Sequence, residues 1–491
     1  MRVARSGHTR VTVDPAARSR LLASRGAVEA AIAGGQTIYG INTGFGKLAN
    51  VRVRGDQLVQ LQANLIRSHA AGVGDPLPVD VVRALMLLRG NVLLRPTSGV
   101  RPELVDALVA LLAAGVIPRV PEQGSVGASG DLAPLSHVAL ALMGEGEVMG
   151  EGRGSQPAGA ALAAAGLRPF TFAPKEGLAF INGTQAQTAI LALLVHDAKT
   201  LWRTSVAAAA MTLEALRGTP VPLDPRIHEA RPHPGQAAAA ALMRSLLAES
   251  EIRESHREND PRVQDAYSLR CAPQVFGAVL DAIAFAERVV QVELNASTDN
   301  PLVFENGDVL SGGNFHGQPV AQALDFLGIA LTTLQAIAER RVERLVNPDL
   351  SQGLPAFLTA DPGLSSGYMM VQITAASLVA ESRAIAMPAS IGSIPTDANQ
   401  EDFVPMGMAA AWKARRILAN AQRVVAAELL CGAQGLEYLR PLKPGRGVGA
   451  LHARIRALTP GVPPLGEDRP PTPDLERLGQ AVARGELDPG P

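Results

Sequence analysis

Several kinds of residue are scarce in this chain of 491 residues. The two cysteines, Cys271 and Cys431, exclude a disulfide framework and a cysteine-rich metal site. They suit a reducing, cytoplasmic setting. Lysines are limited to Lys47, Lys175, Lys199, Lys413 and Lys443, so a lysine Schiff base has few candidates. Aromatic residues make up 3%, with four tyrosines in all, so a tyrosine inside a motif carries weight. Charge of one sign is missing too: 45 Lys and Arg against 46 Asp and Glu leave a net −1. No basic patch of the kind phosphate backbones need is visible, and nucleic acid is not expected as a partner. The opening stretch, MRVARSGHTRVTVDPAARSR, has no apolar core, so no secretory signal is expected. The uncharged run 363–380 lies between Asp361 and Glu381 and contains Ser, Gln and Thr. It reads as a buried bundle helix rather than a membrane span. No HExxH and no Cys/His cluster marks a catalytic metal.

What is present is a 47% hydrophobic, 19% charged composition, rich in alanine. That is a globular profile with enough chain for a large core. Helical patterning is expected over 16–33, stopped by Gly34-Gly35, and over 56–72, 79–94 and 101–115. QTIYGINTGFGK reads as a Gly-punctuated loop. PEQGSVGASGDLAPLSH reads as a loop entering a helix, with Asp131 as N-cap and Pro134 in the first turn. GEVMGEGRG and PLVFENGDVLSGG read as small hairpins, the second turning at Asn306-Gly307. Long Ala/Leu-rich helices are expected over 277–298, 321–346, 365–385 and 407–432, each with several buried faces. They describe a helical bundle completed by other subunits. The Pro-rich stretch 459–473 reads as a surface linker before a last short helix. No repeat of fixed period is present.

The most informative stretch is Gly124-Ser-Val-Gly-Ala-Ser-Gly-Asp131. Side chains supply many nucleophiles and almost no electrophiles. Backbone cyclisation can make one. Attack of the Gly130 amide nitrogen on the Ala128 carbonyl closes a five-membered ring. Loss of two waters then turns Ser129 into an exocyclic methylene, giving 4-methylideneimidazol-5-one. Gly130 offers an unhindered amide and permissive dihedrals, Ala128 is small, and Ser129 carries the leaving hydroxyl. A helix N-terminus at Asp131 would add positive potential.

The longer string GSVGASGDLAPLSH resembles the signature of the aromatic amino acid ammonia-lyase family, shared by its histidine and phenylalanine enzymes. Tyr39-Gly-Ile-Asn-Thr-Gly-Phe-Gly46, Leu61-Gln-Ala-Asn-Leu65, Ser68-His-Ala70 and Asn182-Gly-Thr-Gln185 are similar to the family's motifs as well. So are Val263-Gln-Asp-Ala-Tyr-Ser-Leu-Arg-Cys271, Ser311-Gly-Gly-Asn-Phe-His316 and Asn399-Gln-Glu-Asp402. They follow the family's order over roughly residues 5–440.

The resemblance implies a mainly α fold, a long central helical bundle of the fumarase/aspartase-like superfamily with small β hairpins. It implies an N-terminal domain over 1–200 carrying the Ala128-Ser129-Gly130 loop and the catalytic tyrosine, and a helical-bundle domain over 201–491. The cofactor it implies is the 4-methylideneimidazol-5-one from Ala128, Ser129 and Gly130, with no metal or nucleotide. The partners are a small amino acid substrate and other copies of the chain in a homotetramer whose sites draw on several subunits. No nucleic acid or membrane partner is expected.

Roles carry over residue by residue. Tyr39 matches the base that removes the β proton. A phenol is a poor base near its reference pKa of about 10, so positive surroundings are expected to lower it. Arg270 matches the arginine that grips the substrate carboxylate, which a guanidinium fits bidentately. Gln264 and Tyr267 match partners of the prosthetic group and substrate, Asn182 the holder of the prosthetic oxygen or carboxylate, and Phe315 a packing residue near the ring.

Two positions point to substrate. His69 stands where the histidine enzymes carry histidine and phenylalanine enzymes an apolar residue. Glu401 matches the acidic residue of the histidine enzymes, where phenylalanine enzymes use an amide. A carboxylate opposite an imidazole can bind or exchange its ring N–H. The expected reaction is therefore L-histidine to trans-urocanate and ammonia, the first step of histidine degradation. Ala266, Gly392, Phe403 and Pro405 depart from the histidine-enzyme pattern.

Alternatives remain: a tyrosine or phenylalanine lyase, an aminomutase on the same prosthetic group, or a non-catalytic scaffold of the same fold. A fumarase-like lyase would need a lysine and asparagine that Ala386-Met-Pro-Ala-Ser390 lacks. Gly40 to Lys47 is one residue too long for a phosphate loop and is followed by Leu48.

Overall fold

The computed structural model describes all residues except 8, 9, 36, 151–153, 259, 261 and 491. The fold is mainly α, with three two-stranded antiparallel sheets among the described residues. Two compact units are built from interleaved segments. One comprises Met1–Leu193, Glu287–Asp325 and Pro388–Trp412; the other comprises Leu194–Ala286, Phe326–Met387 and Lys413–Pro491.

In the first unit, the Pro15–Ala33 helix starts at Asp14, whose carboxylate accepts from the Ala16 amide at 2.9 Å. Helix Leu58–His69 packs against helices Leu132–Leu142 and Glu176–Ile181. Val28, Ile41 and Val303 form a fully buried cluster with Ile38 and Val309 packed on it. This cluster anchors the chain on both sides of Tyr39. The hairpin over 302–310 turns at Asn306-Gly307, with Gly307 at φ +91°. Glu147–Met149 pairs with Ser155–Pro157, but the turn expected there falls partly outside the described residues.

The helices expected over 277–298 and 365–385 run over Ala272–Glu293 and Met369–Ile385, the first ending before the polar NASTDN stretch. The other two long ones span Gln318–Val346 and Gly407–Glu437. In the second unit a fully buried ion pair ties the last two together: Arg341 Nε donates to Glu428 Oε1 at 2.5 Å and Nη2 to Oε2 at 2.8 Å. Thr212 of the Gln185–Ala215 helix donates to the same carboxylate at 2.9 Å. With every oxygen satisfied the pair is tolerable, and removing one partner would strand a buried charge at a cost of about 3–5 kcal/mol.

Within one chain, helix Met369–Ile385 is buried along one face. Val371, Ala375, Val379 and Ser382 are buried, while Met370 and Ile373 are exposed. The Pro-rich stretch after 458 is more than a surface linker. Val462 and Leu465 are buried, and the Leu465 backbone exchanges two hydrogen bonds with the Gln434 side chain. A polar side chain inside the bundle thus clamps a segment whose prolines cannot form a ladder of their own. Among the described residues one helix, Gln318–Val346, is long and apolar enough to cross a membrane, and 61% of its apolar window is buried.

Glu214 is 2% exposed and accepts from the Gly445 amide at 2.8 Å. Burial pushes its pKa up to about 7. Below the ordinary carboxyl pKa, Glu214 is protonated folded or unfolded and contributes nothing to pH dependence. As pH rises toward 7 only the unfolded chain ionises freely, so folding loses stability across that window. Glu214→Gln should remove this loss. Calorimetry at pH 5 and pH 8 should show the variant's melting temperature gaining on wild type at the higher pH. An equal difference at both values would contradict the assignment.

Candidate active site

The 124–131 loop is fixed by two glycines back to back. Gly130, at φ +81°, faces Gly183, at φ +147°, through an isolated parallel bridge. The Asp131 amide donates to the Gly183 carbonyl at 2.7 Å. A Cβ on Gly130 would lie 2.3 Å from that oxygen, so no side chain fits. Asp131 stands at the start of helix Leu132–Leu142, yet its side chain does not cap that helix. Its carboxylate instead accepts from the Gln187 amide at 2.9 Å, in the first turn of Gln185–Ala215, and from Ser125 Oγ at 3.1 Å. Those donors partly offset burial, which pushes its pKa up to about 6.

Asn182 follows the short Glu176–Ile181 helix, and its Nδ2 donates to the Ser129 carbonyl at 2.6 Å. Its Oδ1 is buried with no hydrogen-bond partner among the described residues. Arg89 sets this geometry from behind. Fully buried, it donates to the carbonyls of Asn182 at 2.9 Å and Ala179 at 2.6 Å and to Gln185 Oε1 at 2.5 Å. Burial lowers its pKa to about 10, so it stays charged at neutral pH. Sequence reasoning missed Arg89, although a lone arginine inside LMLLRGNVLL was the available signal.

A cavity of about 490 Å³ opens beside the loop. Tyr39, His69, Ser129, Asn182 and Glu401 all line it, brought together from five separate stretches of sequence. Ser129 Oγ donates to Glu401 Oε1 at 2.5 Å, and Thr396 Oγ1 donates to Glu401 Oε2 at 2.6 Å. Between Thr396 and Glu401 the chain makes a left-handed turn through Asp397, Ala398 and Asn399, with φ from 47° to 66°. Such residues cost roughly 1–2 kcal/mol each, so the surrounding contacts must impose the turn. His69 Nδ1 lies 2.8 Å from the Leu65 carbonyl. An oxygen there requires Nδ1 to carry the proton, which leaves Nε2 of the neutral ring as an acceptor.

The Tyr39 hydroxyl accepts from the Gly46 amide at 3.4 Å. Its surroundings are the reverse of the positive ones expected. Burial, then Asp397 and Glu401, push its pKa above the ordinary value, opposed by the Gly46 N–H. Among the described residues, no lysine or arginine lines the cavity.

Other expected site residues are not among the described residues lining this cavity. Gln264, Tyr267 and Arg270 belong to the second unit. There the Arg270 guanidinium stacks 4.8 Å over the Tyr267 ring, and Tyr267 is 71% exposed. Gln264 and Arg270 line a separate cavity of about 540 Å³. Phe315 does not line the Tyr39 cavity, but its segment is tied to the loop by the Gly317 amide donating to Gly127 at 3.0 Å. Phe403, one of the departures from the family pattern, stacks on His316 with ring centres 6.1 Å apart.

Residues 1–457 match the family described as aromatic amino acid lyase. The chain belongs to that family. Like other aromatic amino acid lyases, it matches relatives over nearly its whole length. It is 53% identical to a histidine ammonia-lyase of Deinococcus radiodurans, covering 97% of this chain and 90% of that protein. Among solved structures it is similar to a histidine ammonia-lyase of Trypanosoma cruzi, at 42% identity and TM-score 0.91, covering 99% of this chain and 91% of the other. It is also similar to a tyrosine aminomutase of Streptomyces globisporus, at 39% identity and TM-score 0.93, covering 99% and 94%.

Lyases of this family depend in general on the methylidene-imidazolone group. The residues here fit it. The Ser129 carbonyl, which such a ring retains, already has the Asn182 N–H on it, and Gly130 has no side chain to obstruct closure. Gly183→Ala would place a Cβ 2.4 Å from Gln185 Oε1 and 2.5 Å from Arg89 Nη1, at a φ that side chains rarely adopt. Overpacking of this kind costs roughly 1–3 kcal/mol. Chemical denaturation should show a loss of that size or more, with activity falling alongside. A Gly183→Ala enzyme as stable and active as wild type would refute the close approach.

Proposed function

We propose that the chain eliminates ammonia from L-histidine to give trans-urocanate, using a 4-methylideneimidazol-5-one formed from Ala128, Ser129 and Gly130. The observation that carries this is the convergence of Tyr39, His69, Glu401 and Asn182 on Ser129 in one cavity. When formed, the group supplies an electron-poor methylidene carbon, an electrophile no ordinary side chain provides. Asn182, which donates to the Ser129 carbonyl, would hold that oxygen of the group. Tyr39, once ionised, takes the β proton and becomes the neutral phenol; the Gly46 N–H stabilises the phenolate before that transfer. Because its own surroundings hold Tyr39 protonated, the rate is expected to rise with pH through the alkaline side of neutrality.

Two groups favour an imidazole substrate. His69 Nε2 can accept from a ring N–H, and the Glu401 carboxylate, oriented by Thr396, can accept from the other or hold its proton. A tyrosine or phenylalanine lyase, or an aminomutase, would use the same cavity with a different ring, and the likeness to a tyrosine aminomutase supports testing it. Purified enzyme should produce urocanate from histidine, and tyrosine and phenylalanine should be poor substrates. Intact-mass analysis should find wild type lighter than its sequence by two waters and Ser129→Ala without that deficit and inactive. Product from tyrosine alone would move the specificity; an undiminished mass in active wild type would remove the mechanism.

The reading extends to assembly as a cytoplasmic homotetramer. A substrate carboxylate needs a cation, and no lysine or arginine among the described residues lines the cavity. Arg270 and Tyr267, with Gln264, sit on a segment whose Val263 is 96% exposed. The second unit's helices also expose Phe285, Phe326, Ile329, Met370 and Ile373. The exposure of those apolar faces supports their burial between subunits and a site in which Arg270 of one copy grips the substrate held by another, with Phe315 packing nearby. Co-expression of Ser129→Ala with Arg270→Met should then yield mixed oligomers that regain activity neither homogeneous variant has. No recovery in verified mixed oligomers would place both residues in the same subunit's site.

A further inference from the structure

We propose that Asp397 is a positioning residue that latches the Tyr39-bearing loop onto the turn that carries Glu401. The proposal rests on the reading of Tyr39 as the base.

The tip of the loop, residues 45–48, is not held by burial. Leu48 is 63% exposed and Val51 is 56% exposed. Its other hydrogen bonds are local. Leu48 bonds back to Phe45, Ala49 to Gly46, and the Gly46 amide reaches the Tyr39 hydroxyl within the same loop. The tie to a distant segment is the Lys47 amide, which donates to Asp397 Oδ2 at 3.0 Å across 350 residues of sequence.

The fit around that carboxylate is tight. A Cβ on Gly46, at φ +53°, would sit 2.1 Å from Asp397 Oδ2. Glycine at 46 therefore permits the approach, and its amide in turn addresses Tyr39. The other end of the latch is rigid. Backbone bonds run both ways between Thr396 and Glu401, at 2.9 and 3.3 Å, and close the left-handed turn. Asp397 and Glu401 are thus two carboxylates on one small frame. The first holds the loop that presents Tyr39; the second meets Ser129. Asp397 lines the same cavity but makes no described hydrogen bond to Ser129, so its part is to place the base.

The latch carries an electrostatic consequence. The charged groups facing Tyr39 are Asp397 and Glu401, both of which raise its pKa, and His69 shares the cavity. Asp397 therefore holds the loop at the expense of the phenol's acidity. An asparagine at 397 keeps an oxygen acceptor for the Lys47 amide and drops the charge.

Hydrogen–deuterium exchange on the assembled enzyme separates these parts. In Asp397→Ala, amides of 44–51 should exchange about tenfold faster, the loss of one modest hydrogen bond, while the 185–215 helix is unchanged. Gly46→Ala should do the same from the other side. Asp397→Asn should return the loop to within about twofold of wild type. It should also recover turnover, with the rising limb of the kcat–pH profile moved to lower pH. Unaltered loop exchange in Asp397→Ala, failure of asparagine to restore it, or a pH limb that does not move in Asp397→Asn would each overturn the proposal. The exchange arm needs no turnover. Failure of wild type to release ammonia from any aromatic amino acid would sink the function proposed above and leave the latch standing on exchange alone.

Discussion

Everything in this site depends on two stretches of main chain lying closer than side chains allow. Gly130 and Gly183 touch backbone to backbone, and the Asp131 amide bonds the Gly183 carbonyl. That contact brings Asn182 onto the Ser129 carbonyl and sets the Asp131 carboxylate on the first turn of Gln185–Ala215. A loop and two helices are thereby referred to one point. Arg89 reinforces it by donating to the carbonyls around Asn182 from a fully buried position. A cation in such a place is costly, and three hydrogen bonds to carbonyl oxygens are what make it sustainable.

The electrostatics of the cavity follow from its lining. Two carboxylates, Asp397 and Glu401, face Tyr39, and among the described lining residues no lysine or arginine accompanies them. Left alone, such a cavity disfavours ionisation of the phenol and offers an amino acid's carboxylate no described lysine or arginine. The exposed segment around Tyr267 and Arg270 has the complementary properties: a guanidinium, an aromatic ring and little cover. Under the assembly proposed above, one contact would bury an apolar surface and bring a cation to the cavity.

Sequence reasoning succeeded where local chemistry decides. The helices, the Asn306-Gly307 hairpin and the role of Gly34-Gly35 as a stop are set by propensity and turn geometry within a few residues. It was less sure where a side chain serves a distant element. Asp131 looked like the cap of its own helix but serves the helix that begins at Gln185. The stretch after 458 looked like surface and instead lies clamped by Gln434. The environment of Tyr39 came out opposite in sign to the one the chemistry seemed to need.

The chain's own order of residues determined its helices, its membership among the aromatic amino acid lyases, and the presence of the Ala128-Ser129-Gly130 tripeptide. Those depend on residue type and short spacing, which are written along the chain. Only the tertiary structure decided that Tyr39, His69, Ser129, Asn182 and Glu401 share a cavity, that Arg89 stands behind them, and that Asp397 reaches Lys47. Those contacts join segments tens to hundreds of residues apart, and their energies come from burial and close packing. No local pattern records either.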